Sequence, residues 1–531
     1  MTRITPILCR VACITLVLAM PGAAQQTVPE RTAFARTSTH AEVLAFLDSL
    51  AARGAGVTVG QLGTSTQGRP IPYVIAARPM VATPAEARRS GKPVLYIQAN
   101  IHAGEVEGKE AVQALLRELT LGSLRPLLDS VVVLAVPIYN TDGNEALGPS
   151  DRNRPGQNGP GVVGLRPNGQ GYDLNRDYVK QEAPETRASL AFIAEWDPDL
   201  FMDLHTTNGS YHGYALTWSP GLNANVTTAN TWVQDGALPE IRQRMHARHA
   251  VETFAYGNFR NQDPDSLVLG WVTYESGPRF GTNLMGMSRL SILSEAYSND
   301  TFERRIAATF AFVVETIRYM AVRWDDARRV LASTISARPD SVVIRSNFAP
   351  PHSDTVVAEI TRAAGEGAGP FARRVRTGEM RRIVMPVVDR FMATRREAIP
   401  VAYALDPQWT DVVDRLRRQG IVVEQLQQPW SGRSERFTVD STVISPRAFE
   451  GHRMMRVEGA WTAAARDSLP VGTFLVPTGQ RLGMLAAFLL EPASEDGYTT
   501  WNFFDRALRA RAAHPVRRLA VIPPVPRTLV R

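Results

Sequence analysis

Cysteine is almost absent: two occur among 531 residues, Cys9 and Cys13, both close to the N-terminus. Beyond them a disulfide framework and a thiolate metal site are excluded, so any transition-metal site must be built from His, Asp and Glu. Lysine is nearly as rare. Lys92, Lys109 and Lys180 are the only three, and the rest of the positive charge is arginine. The arginines are scattered, with no long basic run and no aromatic interleaving, which argues against a nucleic-acid partner. After the N-terminal region no segment reaches the about 18 apolar residues of a membrane span. Histidine numbers nine in the whole chain, so each one near a carboxylate carries information.

What is present begins with a targeting signature. Arg3 and Arg10, an apolar run over residues 11–20, and the small residues Gly22, Ala23 and Ala24 predict a secretory signal cleaved after Ala24. A secreted or periplasmic protein is expected, with no stable membrane insertion after cleavage. Both cysteines leave with the signal, as do two arginines, taking the formal charge from +7 to +5. The remaining length exceeds one core's worth, and two domains are expected: residues 25–334, and residues 335–531 after a change to Pro- and Gly-rich texture.

Along the first of these, Ser38 and Thr39 precede a helical pattern over residues 41–52, and a hairpin is expected over residues 57–76 around the turn at 63–70. An apolar strand at 94–101, a helix at 107–120 and a second apolar strand at 131–138 follow. This alternation predicts an α/β sheet with functional loops at the strand ends. Residues 140–172 form a Gly/Pro/Asn/Asp-rich loop too long for an ordinary connector. Further on, a strand at 200–204, a helical stretch at 229–253 breakable at Gly236 and Pro239, a strand at 290–293 and one long amphipathic helix at 302–331 are predicted. In the second domain, residues 409–419 read as a helix and 421–426 and 472–476 as strands.

Two polar residues end the strand at 94–101: His102 and, three residues on, Glu105. His205 ends the strand at 200–204. A catalytic zinc takes three such ligands and keeps one position for water. Taken singly, each histidine fits a structural role as well as a ligand's, and the residues alone leave both readings open.

The run at residues 166–178, R-P-N-G-Q-G-Y-D-L-N-R-D-Y, resembles the zinc carboxypeptidase family, whose members carry H-x-x-E, then G-R-x-N-A-x-G-x-D-L-N-R-N-F, then a distant His and a Glu. The turn at 63–71 is similar to the family's G-x-S-x-x-G-R-x-I, and residues 137–143, P-I-Y-N-T-D-G, to its P-x-x-N-P-D-G. The resemblance covers about residues 38–330. It implies a three-layer α/β/α sandwich around a mainly eight-stranded mixed sheet, here followed by a second α+β domain.

The resemblance also implies roles. His102, Glu105 and His205 match the ligands of one Zn²⁺. Asp173 matches the acid that receives the ring N–H of the first histidine. Glu295 matches the general base, and Arg166 the arginine beside the developing oxyanion. Asn175 and Arg176 match the pair that receives a substrate's terminal carboxylate. Tyr274 is the best-placed match for a substrate-covering tyrosine. Arg279 and Phe280 are candidates for selecting acidic or apolar terminal residues. Asp177 and Tyr178 depart from the family's Asn-Phe, and Thr141 from its Pro.

The implied function is a zinc metallocarboxypeptidase acting on peptides with a free C-terminal carboxylate. The alternative is a zinc amidase on cell-wall stem peptides or acylated amino acids, and a non-catalytic module binding peptide C-termini stands behind both. In the second domain, residues 449–452 (F-E-G-H) and 489–505 are too specific in composition to be filler, and docking on the catalytic unit is their expected role.

Overall fold

The computed structural model describes residues 25–53, 56–363, 374–463, 465–508 and 512–530. The predicted signal lies outside them. Among the described residues no helix is long and apolar enough to cross a membrane.

Eight strands from the first 300 residues assemble into one mixed sheet. Its strands are β1 (Val57–Thr64), β2 (Pro70–Ala76), β3 (Val94–Ala99), β4 (Val132–Val136), β5 (Leu200–Thr206), β6 (Leu216–Pro220), β7 (Thr253–Ala255) and β8 (Leu290–Ala296), in spatial order β1-β2-β4-β3-β5-β8-β6-β7. β3 pairs in parallel with β4 and β5, and β5 with β8. The flanking pairs β1–β2, β2–β4 and β6–β8 are antiparallel. Every residue of β3, β4, β5 and β8 is buried, as expected of strands covered on both faces.

Alternate residues of these strands enter two cores. Leu95, Ile97, Met202 and Ile292 face α1 (His40–Ala52), α2 (Glu107–Thr120), α4 (Leu238–His249) and α6 (Phe302–Val322). Val94, Tyr96, Leu134 and Phe201 face α3 (Pro184–Trp196) and α5 (Gly281–Gly286). This is the three-layer arrangement. Local chemistry fixes its edges: α1 starts at a capping box in which Thr39 accepts from the Glu42 N–H and Glu42 from the Thr39 N–H.

One element differs from expectation, and a second is interrupted at the expected Gly236. The helix predicted over 302–331 is two helices, because Arg323 (φ −102°, ψ 18°) ends α6 and Trp324–Ser336 starts afresh with Asp325 and Asp326 in its first turn. The stretch 229–253 is a short helix, Thr228–Trp232, joined to α4 by a π turn at Val233–Ala237 that contains Gly236. Pro239 then sits in the first turn of α4, directly after the π turn. Ala250 in the left-handed region ends α4, and Thr253 already belongs to β7.

After residue 336 the chain is mainly β. An eight-stranded antiparallel sheet is built on Trp430–Ile444, with helices Thr410–Arg418 and Gly483–Leu490 beside it. A long hairpin, His352–Ala363 with Arg374–Val388, pairs at its base with Trp271–Val272 of the first region. One continuous apolar core joins Tyr96, Phe201 and Trp196 to Tyr403, Trp409 and Trp501, so the second region serves as a further layer over α3.

Candidate metal centre

The centre stands at the C-terminal ends of β3, β5 and β8, three adjacent parallel strands. β3 stops because Asn100 adopts a left-handed conformation (φ 63°), which asparagine tolerates better than other non-glycine residues. The chain then turns, with the Glu105 N–H donating to the His102 carbonyl at 2.9 Å, and both side chains meet at one point. His205 comes from β5, and Glu295 lies opposite it in register on β8.

His102 Nδ1 lies 3.2 Å from Glu105 Oε1 and 3.2 Å from His205 Nδ1, and His205 Nδ1 lies 3.0 Å from Glu105 Oε2. On their outer sides, His102 Nε2 meets Asp173 Oδ1 at 3.0 Å and His205 Nε2 meets Asp203 Oδ2 at 3.1 Å. Each ring thus sets its Nε2 edge beside a carboxylate and turns Nδ1 inward, where its lone pair can serve as a ligand. Two lone pairs and a carboxylate cannot satisfy one another, but a cation satisfies all three. A tetrahedral ion with bonds of about 2.0–2.1 Å holds its ligand atoms roughly 3.3 Å apart, close to the separations observed. The donor set fits one zinc ion, and His102, Glu105 and His205 are all buried.

The sequence motifs are joined by the contacts that hold this centre. Asn140 donates to the carbonyls of Ile101 (3.2 Å) and Arg166 (3.0 Å) and accepts from the Gly143 N–H (2.8 Å). Asp142 accepts from Ser65 Oγ, the Gln67 N–H and Arg69. The early turn and the residue 137–143 motif are therefore one construction. A Cβ on Gly143 would come within 2.5 Å of the Leu165 carbonyl, which explains the glycine. Thr141, where the family has Pro, opens the short helix Thr141–Glu145 behind the Asn140 cap. Asp177 accepts from the N–H groups of Glu182 and Ala183, and the Tyr178 hydroxyl meets Gln98, so neither departure touches the centre.

Arg166 donates to Asp173 Oδ2 (2.9 Å) and Glu105 Oε1 (3.3 Å). Asp173 caps the 3₁₀ turn Leu174–Arg176 by accepting from the Asn175 N–H at 2.9 Å. Asn175 Nδ2 approaches His205 Nε2 (3.4 Å), and the Arg176 guanidinium lies over the Phe280 ring at 4.0 Å. A cleft of about 110 Å³ brings together His102, Glu105, Arg166, Asn175, Arg176, His205 and Glu295, with Tyr256, Tyr274, Phe280 and Leu293 among its walls. Tyr274 donates its hydroxyl to Asn283 at 3.2 Å. Arg279 is not in the lining: it is held by Asp496 (3.3 Å) and by Glu275. Its charge is spent inside the protein, and of the two candidate selectors only Phe280 faces the cleft.

Charges in the cleft are strongly perturbed. Burial raises Glu295 to about 8, His205 opposes this, and Glu105 adds to it. Glu295 Oε2 has no hydrogen-bond partner among the described residues. Burial is the largest influence on the Glu105 and Asp173 carboxylates and disfavours both, yet His102 together with Arg154 and His205 at Glu105, and with Arg166 and Arg176 at Asp173, holds them below the usual range. His205 is disfavoured as a cation by burial and raised all the same by Asp203 and Glu105. Arg176 is lowered, first by burial.

Four contributors were given no role at the centre from the sequence, although Arg154 lay near Arg166 and Glu450 within the 449–452 motif. Asp203 precedes His205 by two and so shares its strand face, a signal that period-two counting carries. Arg154 lies 3.4 Å from Glu105 and donates to the carbonyls of Thr206 and Thr207. Tyr256 stands beside Tyr274, ring centroids 5.6 Å apart. Glu450, from the C-terminal region, accepts from the Asp173 N–H at 3.0 Å.

A family model described as zinc carboxypeptidase matches residues 43–258. Over 460 residues the chain is 23% identical to Carboxypeptidase 2 of Trichophyton tonsurans, covering 82% of this chain and 78% of that protein. It is 29% identical to Carboxypeptidase D of Mus musculus over 157 residues, 25% of this chain and 11% of that one. Among solved structures, carboxypeptidase A of Helicoverpa armigera superposes with a TM-score of 0.42 at 18% identity, covering 54% of this chain and 75% of that chain. Residues 43–258, which carry the His102–Glu105–His205 triad, thus match the zinc carboxypeptidase family.

Proposed function

We propose that the protein is a secreted metallocarboxypeptidase that hydrolyses the last peptide bond of peptides bearing a free C-terminal carboxylate. Zinc held by His102, Glu105 and His205 supplies Lewis-acid polarisation and acidifies water. The chain's own residues do the rest. Glu295, which lines the cleft and has one unpartnered oxygen, takes the proton of the attacking water and returns it to the leaving amine. A carboxylate lifted by burial is a stronger base than one in water, which suits that task. Arg166 stands beside Glu105 and donates to the oxygen on which negative charge develops.

Arg176 and Asn175 receive the substrate's terminal carboxylate, and the stacking of Arg176 on Phe280 fixes the plane of its donor fork. Tyr274 covers the bound end, and the Phe280 and Leu293 walls favour an apolar terminal side chain. The observation that carries the reading is the convergence of a metal triad, an unpaired carboxylate and two arginines in one small cleft.

Mass spectrometry of a mixed peptide library after incubation tests it. Residues are expected to leave one at a time from the C-terminus, with activity lost to a chelator and restored by zinc. Internal cleavage, or no cleavage at all, would overturn it, and hydrolysis confined to cell-wall stem peptides would make the protein an amidase.

A further inference from the structure

The turn at residues 449–452 reaches the centre from the second region. Phe449 and His452 exchange backbone hydrogen bonds at 2.8 and 3.0 Å, closing a two-residue hairpin. Its central residues, Glu450 (φ 49°) and Gly451 (φ 81°), are both left-handed. Such a turn favours Asn or Asp followed by Gly, and glutamate is disfavoured there. A disfavoured residue held in that conformation points to a use for its side chain. Glu450 Oε2 accepts from the Asp173 N–H at 3.0 Å, while the Asp173 carboxylate holds the ring of His102 and caps the Asn175 N–H.

The turn is firmly seated. His452 bridges Glu182 (2.9 Å) and Asn502 (3.1 Å). The buried Lys180 donates to the Glu450 carbonyl at 3.4 Å and lies over the rings of Tyr172 and Trp501 at 5.3 and 5.2 Å. The Glu450 carboxylate also acts on Arg176, offsetting part of the burial and the repulsion from Arg166 and Arg279 that lower it.

We propose that Glu450 is a positioning residue of the metal centre: it reaches in from the C-terminal region to fix Asp173, and through Asp173 it fixes the ring of His102 and the turn that carries Asn175 and Arg176. The proposal rests on the zinc carboxypeptidase reading, and its test has one arm that does not need catalysis. In the full-length chain, Glu450→Ala is expected to weaken zinc binding by roughly tenfold, the lower end of what loss of an outer partner costs a metal site. The measurement is competition with a chelator.

The same variant raises KM for peptides with free C-termini, whereas Glu450→Gln, which keeps an acceptor oxygen, stays near wild type in both. Gly451→Val, which strains the turn without altering the carboxylate, reproduces Glu450→Ala and decides the matter if that variant fails to fold. Wild-type zinc affinity and KM in Glu450→Ala would overturn the proposal, as would equal damage from Glu450→Gln. If the wild-type chain cleaves no peptide, the proposed function fails while the zinc comparison still decides on Glu450.

Discussion

Arg176 shows how much of this site one residue can express. Its guanidinium is half-buried, stacked on Phe280, and repelled by Arg166 and Arg279, and the pull of Asp173 and Glu450 does not offset burial and that repulsion, so its charge gains from an anion. Arg176→Ala is therefore expected to raise KM for free-carboxylate peptides by about 10- to 100-fold, the worth of a charge-assisted hydrogen bond. Amidated peptides, already poor substrates, should not lose further, and equal loss on both would refute its assignment. His102, Glu105, Arg166, Asp173, Asn175 and Arg176 were legible in the sequence because they lie within two short motifs with fixed spacing. Asp203 was hidden, since its role depends on which strand face it shares with His205. Tyr256 and Glu450 were out of reach because their partners are set by tertiary packing, 277 residues apart in sequence for Glu450 and Asp173.

At the scale of elements, buried charges tie helices to the sheet. Glu107, in the first turn of α2, meets Thr206 next to the ligand His205 and pairs with Arg305 of α6 at 3.3 Å. Glu315, also on α6, has a fully buried side chain. Burial alone would raise its pKa, but His249 and Arg318, with Arg248 beyond, bring it to about 2. A depressed carboxylate stabilises the fold above its unfolded value of about 4.5 and loses that contribution as pH falls through about 2. Glu315→Gln is expected to cost about 2 kcal/mol at pH 7, discounted for the partly exposed cations. The difference from wild type should shrink below pH 4.5 and vanish near pH 2. Denaturant unfolding across that range checks it, and a difference that grows in acid would contradict it. The strands were readable as apolar runs and Gly236 signalled the irregularity at residues 233–237, though not its π geometry, whereas the break at Arg323 was not readable because it sits within a continuous helical pattern.

Across the whole molecule, the two regions share one core and one site. Lys180 and Gln181 of the first region bond to Arg415 of the second, and Tyr178 to Gln419, while Trp409 and Trp501 continue the packing of Trp196 and Phe201. A change of texture near residue 335 marks a switch of architecture in the sequence, but composition cannot show that two architectures share a core. Calorimetry of the full-length chain should give a single cooperative transition, and two well-separated transitions would show that the shared core does not couple them.

The central claim is a division of labour in which His102, Glu105 and His205 hold one zinc and Glu295 moves the proton. It is tested most directly by measuring zinc content and turnover on the same sample of Glu295→Gln. One zinc per chain, with kcat reduced by about 10²- to 10⁴-fold, is the predicted result. Loss of the metal or an unchanged rate would contradict it.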